Sequence, residues 1–232
     1  MRICYDVDMS DVLDEWVRAN KKQIAREFIR KTEFSRSDTP VAIITAGLPG
    51  AGKTEFTQEL LKQITTKPLR IDMDEIATLI EGYRPRIADK FRAGASAIMN
   101  RIYDEVIKKK IDFVLDGTFA GTAAISNVQR ALDHGYTLKV YYIHQEPLVA
   151  WKFTQTRELI EHRSINKDKF IDTYTRIYEN LGKLNQFGNK IAISLIIKRE
   201  DNKVGALYEG VTDILQAIPG KMTRIELEEL LQ

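Results

Sequence analysis

The sequence predicts an α/β fold in which a mostly parallel central sheet is flanked by helices. Short apolar runs rich in β-branched residues alternate with longer segments whose apolar residues recur at helical spacing. The first run, residues 41–46, leads into a glycine-rich loop and a helix, and acidic residues follow the second and third runs. Parallel strands of this kind bring their carboxyl ends to one edge of the sheet. A helical lid and an N-terminal helical extension complete the predicted architecture.

Composition and charge narrow the class of protein. The chain has 232 residues, of which 44% are hydrophobic and 29% charged, as is typical of a globular protein. Its formal net charge of +2 argues against nucleic acid as a partner, because a phosphate backbone is tracked by a basic groove. A single cysteine, Cys4, permits no intrachain disulfide and suits a cytoplasmic protein. We expect neither a secretory signal nor a membrane span.

Residues 1–38 are predicted to form an N-terminal extension. Val12, Trp16, Ile24 and Phe28 recur at helical spacing, which predicts a helix over residues 9–34. Two interpretations are open. The helix could pack on the core, or it could be a regulatory or partner-binding element beside the site that the next residues form.

The segment GLPGAGKT, residues 47–54, matches the phosphate-binding loop pattern (P-loop, or Walker A). Glycines let a phosphate chain approach the backbone N–H groups, and the next helix points its positive end at the anion. Lys53 adds a charge for the β- and γ-phosphates of ATP, and Thr54 offers a hydroxyl to Mg²⁺. The alternative is a glycine-rich turn with a chance Lys-Thr pair, but the order of strand, loop and helix favours a nucleotide site. The predicted nucleotide-binding residues are Gly47, Leu48, Pro49, Gly50, Ala51, Gly52, Lys53 and Thr54.

A second predicted strand, residues 69–72, ends in acidic residues and precedes a predicted helix over residues 76–80. Carboxylates at the carboxyl end of a strand lie where an α/β sheet places its ligand. Asp74 is therefore the candidate general base, which would accept the proton of an attacking hydroxyl and align it with the γ-phosphate. The alternative is that these acids only cap the next helix.

A long amphipathic helix is predicted over residues 88–110, followed by a third strand over residues 111–115. This strand delivers Asp116 and Thr118 to the same edge of the sheet, and they are the predicted substrate-binding residues. Asp116 could instead hold Mg²⁺ through water, or serve only in a helix cap or a turn.

The lid is predicted around residues 144–182, with one helix from Pro147 and another over residues 167–184. Arg157 and Arg163 could neutralise the charge that develops on a transferred phosphoryl group. The alternative for an arginine on a helix is a solvated face.

The remaining segments complete the predicted core. We expect helices over residues 122–134, 211–217 and 223–231, and strands over residues 137–143, 191–197 and 204–208, the last at an edge of the sheet. The predicted divisions are an extension (residues 1–38), a core (residues 39–218) and a C-terminal helix (residues 219–232).

The chain resembles the zeta toxin family, the P-loop kinases of toxin–antitoxin systems and their relatives. The resemblance lies between residues 41 and 210 and does not include the extension. Its motifs are GLPGAGKT (residues 47–54), RIDMDE (residues 70–75), FVLDGT (residues 113–118), RSINKDKF (residues 163–170) and KREDNKVGALYEG (residues 198–210). The ordered set is much more specific than any one motif.

The resemblance implies an ATP-dependent kinase that phosphorylates the 3′-hydroxyl of UDP-N-acetylglucosamine, with an antitoxin protein as a candidate partner. Matched motif by motif, Lys53 and Thr54 fall on the phosphate and Mg²⁺ positions and Asp74 on the catalytic base. Arg163 and Arg157 fall on the lid arginines.

Two other functions stay open at this point. Asp116 falls where the family often carries a glutamate that contacts the sugar, and aspartate is one methylene shorter. The acceptor could therefore be a polynucleotide 5′-hydroxyl, an antibiotic or another nucleotide, because the fold alone does not fix it. The last alternative is a nucleotide-dependent switch that transfers no phosphate.

Overall fold

The computed structural model describes residues 9–34, 38–161 and 165–231. The strands of its sheet are β1 (Val41–Ala46), β2 (Leu69–Asp72), β3 (Phe113–Asp116), β4 (Thr137–His144), β5 (Ile191–Lys198) and β6 (Val204–Tyr208). They lie in the order β2-β3-β1-β4-β5-β6. The first five are parallel, and β6 pairs with β5 in the antiparallel direction. The predicted α/β fold is therefore confirmed.

Helices connect these strands, as a parallel sheet requires. They are α1 (Met9–Lys31), α2 (Lys53–Gln63), α3 (Met73–Ala77), α4 (Ala88–Lys108), α5 (Ala124–Asp133), α6 (Pro147–Glu161), α7 (Lys167–Lys183), α8 (Ile214–Ala217) and α9 (Arg224–Leu230). Short 3₁₀ segments precede α4 and β5. Strand β1 is almost wholly buried, because helices cover both faces of the sheet.

The register of the central strands determines which residues meet at the carboxyl edge of the sheet. Asp72, the last residue of β2, pairs with Asp116, the last residue of β3. Strand β1 lies on the other side of β3, with Ile44 opposite Leu115. The loop after β1 consequently begins beside the two acidic strand ends.

Helix α1 packs on α4 and contributes to the hydrophobic core. Val17, Ala25 and Ile29 are all buried. Gly94 of α4 permits this contact, since a Cβ there would lie only 2.9 Å from Cγ2 of Val17. These contacts favour the first interpretation of the extension, a helix packed on the core.

Several boundaries differ from the prediction because of capping residues. Helix α3 begins at Met73 instead of residue 76, since the Asp72 carboxylate caps it from the end of β2. Helix α8 begins at Ile214 instead of residue 211, where Asp213 is the cap. The pattern of apolar residues predicts that an element exists better than it predicts where the element starts.

The predicted lid divides into two helices with different surroundings. Helix α7 buries Phe170, Ile171 and Tyr174 in the core. Helix α6 becomes exposed towards its carboxyl end, where 81% of Leu159 is accessible to solvent. In the described part of the chain, no helix is long and apolar enough to cross a membrane.

Candidate active site

The loop between β1 and α2 folds tightly against neighbouring backbone. Gly50 and Gly52 have φ angles of 79° and 77°, a left-handed conformation that favours glycine. A Cβ on Gly50 would lie 2.2 Å from the carbonyl oxygen of Ala150, so only glycine fits there. Gly52 is the N-cap of α2 and has no side chain to accept from the first turn. The N–H groups of that turn are thus suited to an anionic ligand.

Lys53, the first residue of α2, points back over this loop. Its Nζ donates a hydrogen bond to the carbonyl oxygen of Leu48, at 2.7 Å. Burial lowers the pKa of Lys53 to about 8; nearby Arg157 adds to this effect, while Asp116 and Asp74 oppose it. Lys53 is therefore a half-buried cation held over the position that a phosphate chain would occupy.

Asp72 and Asp74 have different surroundings although only one residue separates them. Oδ1 of Asp72 accepts hydrogen bonds from the backbone N–H groups of Asp74 and Glu75, at 2.7 and 3.4 Å. The capping alternative considered for these acids therefore holds for Asp72. Asp74 lies in the first turn of α3 and lines a cavity that Lys53 and Asp116 also line.

Asp116 is held by side chains from both neighbouring strands. The Thr45 hydroxyl of β1 donates to its Oδ1 at 3.0 Å. Nε and Nη2 of Arg70 in β2 donate to its Oδ2, at 3.0 and 2.8 Å. Arg70 also binds the Asp72 carboxylate. Arg70 was not among the predicted site residues, although its place two residues before Asp72 on the same face of β2 was a usable signal.

The loop after β3 is fixed at several backbone positions. The backbone N–H of Gly47 donates to the Thr118 carbonyl oxygen at 3.2 Å. Phe119 has a φ angle of 64°, which is strained for an aromatic residue. Buried Asn180 of α7 donates to the carbonyl oxygens of Phe119 and Gly121, at 2.8 and 3.3 Å. The position of Thr118 consequently depends on residues that are distant in the sequence.

One cavity of about 270 Å³ brings most of the predicted site residues together. Among the side chains that line it are Lys53, Thr54, Asp74, Asp116, Thr118 and Arg157. Arg86, Arg92 and Lys169 line it as well and were not among the predicted site residues. Arg163 lies outside the described residues, so the structure gives it no position.

The described residues contain no group of three or more His, Cys, Asp or Glu side chains arranged to hold a metal ion. Mg²⁺ is commonly bound by one or two protein oxygens together with phosphate oxygens, and it keeps several waters. The Thr54 hydroxyl on the cavity wall fits that mode of binding.

The fold and the site together define a P-loop phosphotransferase. The phosphate-binding loop follows the central strand, and ionisable groups surround a cavity at the carboxyl edge of a parallel sheet.

The chain belongs to the zeta toxin family, whose sequence model matches residues 25–210. It is also 31% identical, over 105 residues, to an uncharacterized protein of Haemophilus influenzae. That alignment covers 44% of this chain and 69% of the relative. The family resemblance noted in the motifs is confirmed, and the match begins within α1.

Two solved structures have folds similar to that of this chain. A structure from the PezAT chromosomal toxin–antitoxin system of Streptococcus pneumoniae has a TM-score of 0.66 and 18% identity, with 94% of this chain and 92% of that chain covered. The AvrRxo1-ORF1:AvrRxo1-ORF2 complex with ATP has a TM-score of 0.57 and 13% identity, with coverage of 96% and 70%. At these identities the similarity establishes the fold.

Proposed function

We propose that this protein is an ATP-dependent kinase that phosphorylates the 3′-hydroxyl of UDP-N-acetylglucosamine. The observation that carries the proposal is that the phosphate-binding loop and Asp74 line the same cavity. Such a cavity can hold a γ-phosphate and an acceptor hydroxyl in contact, and positioning of this kind accounts for much of the catalysis in phosphoryl transfer.

The loop binds the triphosphate through its backbone N–H groups, and Lys53 contacts the β- and γ-phosphates. Asp74 accepts the proton of the acceptor hydroxyl as the oxygen forms a bond to the γ-phosphorus. The bond from that phosphorus to the β-phosphate oxygen breaks, and ADP leaves. Thr54 would hold Mg²⁺, which when bound would supply charge neutralisation at the triphosphate.

The two predicted lid arginines stabilise the charge on the transferring phosphoryl group. Arg157 of α6 lines the cavity, which supports this role. Arg163 has the same role by its match to the family motif. Asp116 and Thr118 contact the acceptor from the end of β3, and the Asp116 Oδ1 lone pair that Thr45 leaves free is the available acceptor.

Positive charge on the part of the cavity wall formed by α4, α7 and the 3₁₀ segment before α4 supports a phosphorylated acceptor. Arg86, Arg92 and Lys169 lie there with one acid, Asp89. Asp89 accepts from Lys169 at 2.5 Å and from Arg92 at 3.2 Å. The described residues that line the whole cavity include five cations and four carboxylates, a small excess of positive charge that suits the diphosphate of a UDP-sugar.

We also infer that an antitoxin protein binds this chain. Family membership and the toxin–antitoxin origin of the Streptococcus pneumoniae structure support that inference. Co-expression of a candidate antitoxin should relieve any growth arrest that this chain causes. Persistent arrest with both proteins present would contradict it.

Mass spectrometry of an acceptor mixture tests the function. The protein is incubated with Mg²⁺ and ATP, together with UDP-N-acetylglucosamine, nucleotides, free sugars and a short oligonucleotide. We expect a phosphate-mass gain on UDP-N-acetylglucosamine, with NMR placing the group on the 3′-oxygen. Lys53→Ala protein, purified by the same procedure, is the control for contaminating kinases.

The other outcomes of that assay have distinct meanings. A gain only on another acceptor would retain the kinase and replace its substrate. Bound ATP with no gain on any acceptor would contradict the kinase and favour the nucleotide-dependent switch.

A further inference from the structure

Two carboxylates lie side by side where β2 and β3 end. Asp72 and Asp116 are register partners in neighbouring parallel strands, and both side chains line the cavity. Only 18% of the Asp72 side chain and 4% of the Asp116 side chain are exposed. Water therefore screens their repulsion poorly, and the pair needs a nearby positive charge.

Arg70 provides that charge and makes directional bonds to both acids. Its Nε and Nη2 bind Oδ2 of Asp116, and Nη2 also binds Oδ2 of Asp72. Nη1 lies 3.8 Å from Oε2 of Glu75, close enough for a third ion pair. The planar guanidinium presents several donors at fixed angles, so it can bridge two carboxylates as the single ammonium of lysine cannot.

The contacts continue from Arg70 to the candidate base. The Asp72 oxygen that Arg70 leaves free caps the first turn of α3, by accepting from the N–H groups of Asp74 and Glu75. Arg70 thus orients Asp72, and Asp72 fixes the turn that carries Asp74. The same guanidinium orients Asp116 from the other side of the site.

We propose that Arg70 is a positioning residue that holds Asp72 and the first turn of α3 in register with Asp116. It sets the place of the Asp74 carboxylate relative to the end of β3, without contacting the reacting atoms. The kinetic part of the proposal rests on the kinase function proposed above. The structural part, the order of the α3 turn, does not depend on it.

Steady-state kinetics of two variants test the kinetic part. Arg70→Met removes the positive charge and keeps a side chain of similar length. Arg70→Lys keeps the charge but lacks the planar guanidinium with its several donors. We expect kcat to fall by about a hundredfold in Arg70→Met, because a small misplacement of a reacting group has a cost of that order. Arg70→Lys should recover part of the loss. ATP affinity should remain at the wild-type level, since no contact of Arg70 reaches the loop of residues 47–54.

Hydrogen exchange at the Asp74 and Glu75 amides tests the structural part. Loss of Arg70 frees the Asp72 cap, so both amides should exchange faster in Arg70→Met. Arg101→Met is the matched control, since Arg101 is similarly half-buried and pairs with Glu105 within α4. It should change neither kcat nor the exchange of these amides.

Each remaining outcome decides the proposal. Wild-type kcat and unchanged exchange in Arg70→Met would overturn it. So would a loss of kcat matched by losses of ATP affinity and melting temperature, which would indicate a general structural role. If Arg70→Met does not fold, wild-type kcat in Arg70→Lys would overturn it. If the wild type phosphorylates no acceptor, the proposed function fails. The structural role of Arg70 is then still supported by faster amide exchange in Arg70→Met and contradicted by unchanged exchange.

Discussion

At the scale of single residues, the site depends on a few charged groups with separate tasks. Lys53 lies over the phosphate-binding loop, with its pKa lowered to about 8 by burial. Asp72 caps α3, which leaves Asp74 in the turn beside it to face the cavity. The bonds of Arg70 fix two neighbouring carboxylates. Substitution of individual residues can therefore separate nucleotide binding from transfer.

Lys53→Ala should weaken nucleotide binding and turnover together. The variant removes the charge that the account assigns to the β- and γ-phosphates, and we expect losses of about tenfold or more in each. Fluorescent-nucleotide titration and the transfer assay measure the two effects. Lys62→Ala is the control, because Lys62 is an exposed residue of the same helix that pairs with Glu59. Normal turnover in Lys53→Ala would refute the assignment of the loop.

At the scale of elements, α1 behaves as part of the core. It buries apolar side chains against α4. Trp16 Nε1 also donates a hydrogen bond to Oε2 of Glu81, which lies between α3 and α4, at 2.9 Å. Removal of residues 1–38 would expose that apolar surface. We expect the truncated chain to lose solubility and folding instead of gaining activity.

A point substitution tests the same packing more gently. Ile29→Ala should lower the free energy of unfolding by about 2–4 kcal/mol, because Ile29 is only 3% exposed and its loss leaves a cavity. Val12→Ala in the same helix is the control, since 52% of Val12 is exposed. Urea denaturation measures both. Equal, small effects would mean that α1 is not packed in this way in solution.

Strand β4 ends in a buried histidine that makes stability depend on pH. Burial lowers the pKa of His144 from 6.5 to about 4. The unfolded chain therefore binds a proton more readily than the folded one between these values. His144 adds no penalty above pH 6.5, and as the pH falls towards 4 it should cost up to about 3 kcal/mol of stability.

A variant that lacks only His144 isolates that effect. Urea denaturation measures the unfolding free energies of wild type and His144→Gln from pH 7.5 down to 4. As the pH falls, the unfolding free energy of the wild type should decrease more than that of His144→Gln. Parallel curves would show that His144 titrates at its ordinary pKa.

At the scale of the whole molecule, the sequence predicted the sheet and part of the cavity lining. Apolar runs and the glycine-rich loop are local signals, so they predicted β1, α2 and the loop that joins them. The functions of Arg70 and Asn180 depend on which strands and helices become neighbours, and no local pattern states this. The start of α3 was misplaced for a similar reason, because Asp72 both ends a strand and caps a helix.

The cationic part of the cavity wall shows the same limit. Arg86, Lys169 and Arg92 come from a 3₁₀ segment and two helices, and only the fold brings them to one cavity. Their charges were visible in the sequence, but their common location was not.

The central claim is that Asp74 is the base of a phosphoryl transfer to UDP-N-acetylglucosamine. The most direct measurement compares turnover and ATP affinity in the wild type, Asp74→Asn and the control Asp133→Asn, an acid of helix α5. We predict that Asp74→Asn binds ATP as the wild type does and forms phosphorylated product roughly a hundredfold more slowly. An unchanged rate in Asp74→Asn would contradict the account.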